Sequence, residues 1–214
     1  MKAKTDSAFF DFLDNEFAWR KKELTSIWSD VKLADEKSRS TRLRTAVSMF
    51  YAHWEGFVKA ASDQYVEFVD KRRLKHSELS HGFQALALRS KLQRFHSGDD
   101  VSAHIQFMDF LHNHLESRAR IPTLGVIKTG SNLTSKRLKA IVLMLGLDYS
   151  PFELKENLID VQLVGWRNKI AHGKYHYPGE KDVELLYDAV SLLLRNFKDQ
   201  LSNAVASRAY RGAI

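Results

Sequence analysis

The stretch Trp166-Arg167-Asn168-Lys169-Ile170-Ala171-His172-Gly173 places an arginine, an amide and a histidine within six residues. Arginine presents a planar fork of donors that matches a phosphate, and histidine exchanges protons near neutral pH. Phosphodiester chemistry without a metal needs both. A second use of the same residues is structural. A histidine before a glycine caps the last carbonyls of a helix and suits its negative end, and Arg167 can pair with a carboxylate such as Glu55. Read locally, both uses stay open.

Other chemistries find less support. The chain has no cysteine, which excludes disulfides, thiol nucleophiles and thiolate metal sites. Its 9 histidines include no HExxH pair, and His112 and His114 are two residues apart, a spacing that does not align on a helix. His172 and His176 straddle Gly173. The glycines at 125 and 130 lack the GK[ST] ending of a phosphate loop, and no nucleophile elbow is present. No metal and no cofactor is therefore expected.

These residues need a scaffold, and the apolar spacing predicts helices. Phe9, Phe10, Leu13, Phe17, Leu24, Ile27, Trp28 and Val31 mark a first long helix reaching about Leu33. A charged break follows over residues 35–40. Leu43, Val47, Phe50, Trp54, Phe57, Ala61, Tyr65 and Phe68 mark a second, reaching about Leu74. The middle is less regular. A helix is expected over about 83–95, a loop at 96–100 with Asp99 or Asp100 as a cap, a helix through Leu115, and extended structure over 121–130. Ser131 or Thr134 starts a short helix with Leu138, Ile141, Val142 and Leu145 inward, and Gly146 stops it.

Ser150-Pro151-Phe152-Glu153 reads as a capping box opening a third long helix that Gly173 ends. On that helix Ile159, Leu163, Trp166 and Ile170 form a core stripe. Asp160, Val161, Val164, Arg167, Asn168, Ala171 and His172 form a second sector, read as a half-buried cleft or a subunit interface. A final helix carries Val183, Leu186, Val190, Leu193, Leu194 and Phe197. The whole is an all-α bundle with long antiparallel helices. Residues 1–214 read as a single domain, its core at about 6–75 and 131–207 and an irregular insertion at about 76–130.

The bulk numbers agree. At 214 residues and 44% hydrophobic content the chain can bury a sizeable core, and 10 Gly with 3 Pro argue against a sandwich or a disordered linker. A net charge of +7, from 33 Lys+Arg against 26 Asp+Glu, suits a polyanionic partner as well as an ordinary basic surface. No apolar run is long enough to span a bilayer. The first residues lack the apolar core of a signal peptide, so a cytoplasmic protein is expected.

Arg167-Asn168-Lys169-Ile170-Ala171-His172 closely resembles the RNxxxH motif of the HEPN superfamily. Tyr51-Ala52-His53-Trp54-Glu55-Gly56-Phe57-Val58-Lys59 looks like the matching helix of its MAE_28990/RiboL-PSP-like branch. Ser131-Asn132-Leu133 and Leu145-Gly146-Leu147-Asp148 also look like that branch. The resemblance implies a helical bundle, a homodimer with the motif helix at or near the interface, and a metal-independent endoribonuclease of a toxin–antitoxin, anti-phage or RNA-processing system. It implies Arg167 and His172 as the catalytic pair, Asn168 as the polar residue beside it, and Glu55 as an acidic residue orienting the arginine.

Lys169, Lys174 and Tyr175 are the expected RNA contacts next to that pair. Arg42, Arg44, Lys71, Arg72, Arg73, Lys136, Arg137 and Lys139 are available to guide the RNA backbone. One position departs from the family pattern: where a tyrosine that receives AMP usually follows the histidine by two residues, this chain has Lys174, with Tyr175 one later. The alternative function is a non-catalytic HEPN adaptor dimer that binds nucleic acid, a nucleotide or a partner protein such as an antitoxin or defence component.

Overall fold

Amphipathic spacing sets the elements. The computed structural model describes residues 5–96 and 101–212. Helices α1 (Asp6–Lys32) and α2 (Glu36–Asp70) come first, then three shorter ones, α3 (His81–Ala87), α4 (Arg89–His96) and α5 (Val101–Asn113). Helix α6 (Ser135–Met144) and the single turn α7 (Ser150–Glu153) precede a π-helix, Leu158–Trp166, which α8 (Arg167–Ala171) continues, and α9 (Glu180–Ala206) follows. No β-strand occurs among the described residues, and no helix among them is long and apolar enough to cross a membrane. The protein is all-α, as expected.

Side-chain pairs fix how the long helices run. Asp6 at the start of α1 pairs with Arg72 just past the end of α2, and Glu23 faces His53 at 3.4 Å. Asp14 meets Lys198 at 2.7 Å and Thr25 meets Tyr187 at 3.2 Å. Helix α1 is thus antiparallel to α2 and to α9, which run parallel to each other. The apolar stripes of α2 and α9 predicted from sequence are buried at every position. Trp54, Phe152 and Phe197 lie within 6.4 Å of one another, ring centre to ring centre. Burying each such side chain contributes about 1.5–3 kcal/mol.

Five local expectations need correction. The charged break over 35–40 is shorter than read, because helix resumes at Glu36. Asp35 caps it, its carboxylate accepting the Ser38 N–H at 2.8 Å, and the Ser38 hydroxyl and N–H hold that carboxyl below its usual range. The helix expected over 83–95 is two, broken at Leu88, which closes α3. Residues 121–130 form a loop without strand pairing. There Ile121, Val126 and Ile127 are buried, and positive φ at Gly125 and Gly130 (64° and 70°) turns the chain away from an extended path. The α2 helix ends at Asp70 and α5 at Asn113, each short of its expected end. The expected caps Asp99 and Asp100 lie outside the described residues.

The largest correction concerns the third long helix, which is not one helix. Ser150 does not cap it: the Ser150 N–H and hydroxyl both bond the Asp148 carboxylate two residues earlier, at 2.9 and 2.5 Å. That local turn competes with a helix cap. The α7 turn stops at Leu154, and after a turn at 154–155 the chain re-enters helix at residue 156 and widens into a π-helix from Leu158. Asp160 in this wide segment accepts the Ser135 N–H at 2.7 Å and the Ser135 hydroxyl at 2.6 Å, at the first turn of α6. Residues of a π-helix turn by less than the 100° of an α-helix, so the faces unrolled from sequence drift. Ile159 and Leu163 are buried as expected, Trp166 and Ile170 only half-buried, and Val161 is exposed.

Three histidines are expected to make the fold sensitive to acid. Burial is the main cause that holds His53, His76 and His176 below the ordinary 6.5; Arg20 adds to it at His53 (where Glu23 opposes), Lys91 at His76, and Lys169 and Arg44 at His176. Each folded value lies below the unfolded one, so the unfolded chain binds protons the native state refuses as pH falls below about 6.5. Thermal unfolding from about pH 8 to about pH 5 is expected to show a steady midpoint above neutrality and a falling one below it. A midpoint that rises on acidification would contradict this.

Candidate active site

Helix α8 carries the arginine and the histidine, and its end is built by glycine. His172 is the C-cap residue just past the last helical residue, Ala171, and Gly173 takes φ 67°, a conformation open to glycine at no steric cost. The Gly173 N–H bonds the Ile170 carbonyl at 3.0 Å and the Lys174 N–H bonds the Lys169 carbonyl at 2.9 Å. This pair of bonds is a Schellman stop. It turns residues 174–179 back toward α2.

The two principal side chains sit in different environments. Arg167 is half-buried. Its Nη1 donates to the Asn168 side-chain oxygen at 2.8 Å, and its guanidinium lies 4.2 Å from the centre of the Tyr51 ring on α2. His172 is exposed, with no hydrogen-bond partner for its ring among the described residues. Asn168 therefore engages the arginine. Lys169 and Lys174 are exposed, and Tyr175 is 90% exposed.

Glu55 reaches the site through a residue that sequence reasoning did not single out. No ion pair within 4 Å joins Glu55 to Arg167 among the described residues; both lie against Tyr51. The buried Tyr51 hydroxyl accepts the Leu133 N–H at 2.8 Å. Burial pushes the Tyr51 phenol up to about 12, Glu55 adds to the rise, and the Leu133 N–H and Arg167 oppose it. The signal was available: Tyr51 and Glu55 are four apart on one helix face.

Tyr51→Phe keeps the ring beneath Arg167 and leaves the buried Leu133 N–H without its acceptor. It is expected to cost about 1–3 kcal/mol in denaturant unfolding. A loss under about 0.5 kcal/mol would show that Leu133 finds another acceptor.

Half of the eight basic residues proposed as a track are engaged elsewhere in the protein by ion pairs or hydrogen bonds. Lys71 pairs with Glu67, Arg72 with Asp6, and Lys139 with Glu153. Arg44 alone reaches the site: its Nη1 donates to the carbonyls of Lys174 and His176, each at 3.4 Å. The half-buried His176 ring packs 5.3 Å from Trp166. Among the described residues no three His, Asp or Glu side chains converge as metal ligands.

Fold and site together define an all-α bundle with a basic, partly exposed site where a short motif helix leans on the longest helix. The RiboL-PSP-HEPN family model matches residues 15–203, and the chain belongs to that family. The matched span takes in α8 and all the site residues named above. No match is found among curated proteins or among solved structures.

Proposed function

We propose that the protein is a metal-independent endoribonuclease acting through Arg167 and His172. The observation that carries this reading is the contrast between them: the guanidinium is held by Asn168 and Tyr51, while the imidazole at the end of the same helix is open to solvent. A fixed fork suits charge that grows on phosphoryl oxygens in a transition state. An open imidazole suits proton transfer to and from an incoming chain. Family membership points the same way.

The ribose 2′-oxygen attacks the adjacent phosphorus and the bond to the 5′-oxygen breaks. One imidazole takes the 2′-hydroxyl proton, and a proton is delivered to the leaving 5′-oxygen. The products are a 2′,3′-cyclic phosphate and a 5′-hydroxyl. In a two-fold homodimer with the α8 helices facing each other, two copies of His172 divide the base and acid roles. Asn168 positions Arg167, and Glu55 acts on it through Tyr51. Lys169 and Lys174 contact the RNA backbone. The setting is a cytoplasmic toxin or anti-phage effector, with an antitoxin or defence component as its partner.

The test is cleavage of a mixed RNA pool by purified protein in excess EDTA, with end-group analysis. Cyclic phosphate and 5′-hydroxyl ends are expected. Ends of 5′-phosphate and 3′-hydroxyl would rule out this chemistry. RNA binding without cleavage would favour the adaptor.

A further inference from the structure

Residues 174–179 hold two aromatic rings that keep half or more of their surface in water. Tyr175 is 90% exposed and Tyr177 is 52% exposed. Their rings meet edge to face, with centres 4.6 Å apart and planes at 69°. Large rings ordinarily contribute by leaving water; Tyr175 hardly does so, and Tyr177 does so only by about half.

The backbone beneath them is nonetheless fixed. Arg44 of α2 donates to the carbonyls of Lys174 and His176, the residues on either side of Tyr175. The same guanidinium lies 4.9 Å from the centre of the Tyr177 ring. The His176 ring packs on Trp166, and Pro178 is buried. The loop is thus anchored at alternate positions while its two tyrosines face outward. The Schellman stop at Gly173 sets its direction, and Tyr175 lies three positions after His172, a span of at most about 11 Å. The exposed Lys174 lies between them.

An ordered aromatic pair beside cationic groups is the arrangement that receives nucleobases. Every base has a π-face, and stacking on an aromatic side chain needs the base to be free of its own duplex stack. We propose that Tyr175 and Tyr177 form a stacking platform for bases flanking the scissile phosphate, so that the substrate class is unpaired RNA. Arg44 is the positioning residue that holds the platform open. This rests on the ribonuclease reading, but binding can be measured apart from chemistry.

The experiment is fluorescence anisotropy of wild-type protein with a labelled single-stranded oligonucleotide bearing 2′-O-methyl groups, which cannot undergo 2′-oxygen attack, and with the same strand in a duplex. Tyr175→Ala/Tyr177→Ala is expected to bind the single strand about tenfold or more weakly. Tyr175→Phe/Tyr177→Phe, which keeps both rings, should bind like wild type, and the duplex should bind weakly to all three. A double-alanine protein that binds like wild type overturns the platform. So does equal loss for single strand and duplex, or a duplex preferred by wild type. Circular dichroism of each variant checks that the helices persist. A protein that binds through the tyrosines yet cleaves nothing sinks the ribonuclease reading and keeps the platform; cleavage with binding indifferent to the tyrosines does the reverse.

Discussion

Arg167→Ala and His172→Ala are each expected to abolish most RNA cleavage while the protein stays folded. Removing a transition-state donor of this type costs about 10²–10³ in rate, and removing a general acid or base about 10²–10⁴. The two variants should differ in stability. His172 is exposed, so its loss should stay within about 0.5 kcal/mol. Arg167 is half-buried over Tyr51, and its loss removes a cation–π contact of about 0.5–1 kcal/mol or more. Arg167→Lys is informative too. An ammonium keeps the charge but cannot bond Asn168 and present a second donor pair in one plane, so it should rescue little. Single-turnover cleavage beside thermal unfolding decides the matter. Variants that melt and cleave like wild type would remove both residues from the site.

The largest stability effect is expected at Trp54. Its side chain is fully buried and touches elements distant in sequence, Phe152 on α7 and Phe197 on α9. Trp54→Ala should cost about 3–5 kcal/mol. That is a large share of the roughly 5–15 kcal/mol that holds a typical protein together. The indole N–H has no partner among the described residues, so Trp54→Phe gives up no hydrogen bond and should lose clearly less. Urea unfolding of the two variants gives the comparison. Equal losses would mean that ring size, and not the junction of three elements, sets the cost.

The long helices were legible because their cause is local and periodic. Leu186, Val190, Leu193 and Phe197 repeat at helical steps, and the structure buries them all. Thr134 and Gly146 were readable as start and stop for the same reason. The π-helix was not legible, because what accompanies it is a tertiary bond. Asp160 reaches Ser135, twenty-five residues earlier, and nothing in the spacing of residues 158–166 records that. A Cβ at Gly165 would come within 3.2 Å of the Asp160 carbonyl, so the glycine gives the backbone room there. Ser150 misled because Asp148 outcompetes the helix for its hydroxyl. The Arg167–His172 motif was read correctly as lying at a helix end. Tyr51 was overlooked although Glu55 stands four residues on: a buried tyrosine of α2 reads as core, and the arginine above it comes from a segment 116 residues away.

The Asp160 bond has a consequence for how the molecule breathes. Two segments far apart in sequence share one carboxylate, so the first turn of α6 loses a capping partner whenever the wide helix lets go. Together they are expected to open as one cooperative unit. Amide protons of α6 and of residues 158–166 are expected to exchange with deuterium from a common opening, and Asp160→Ala should speed both. Unequal speeding would separate them. The helix that carries Arg167 continues directly from this wide segment, so its opening is expected to follow the Asp160 bond as well.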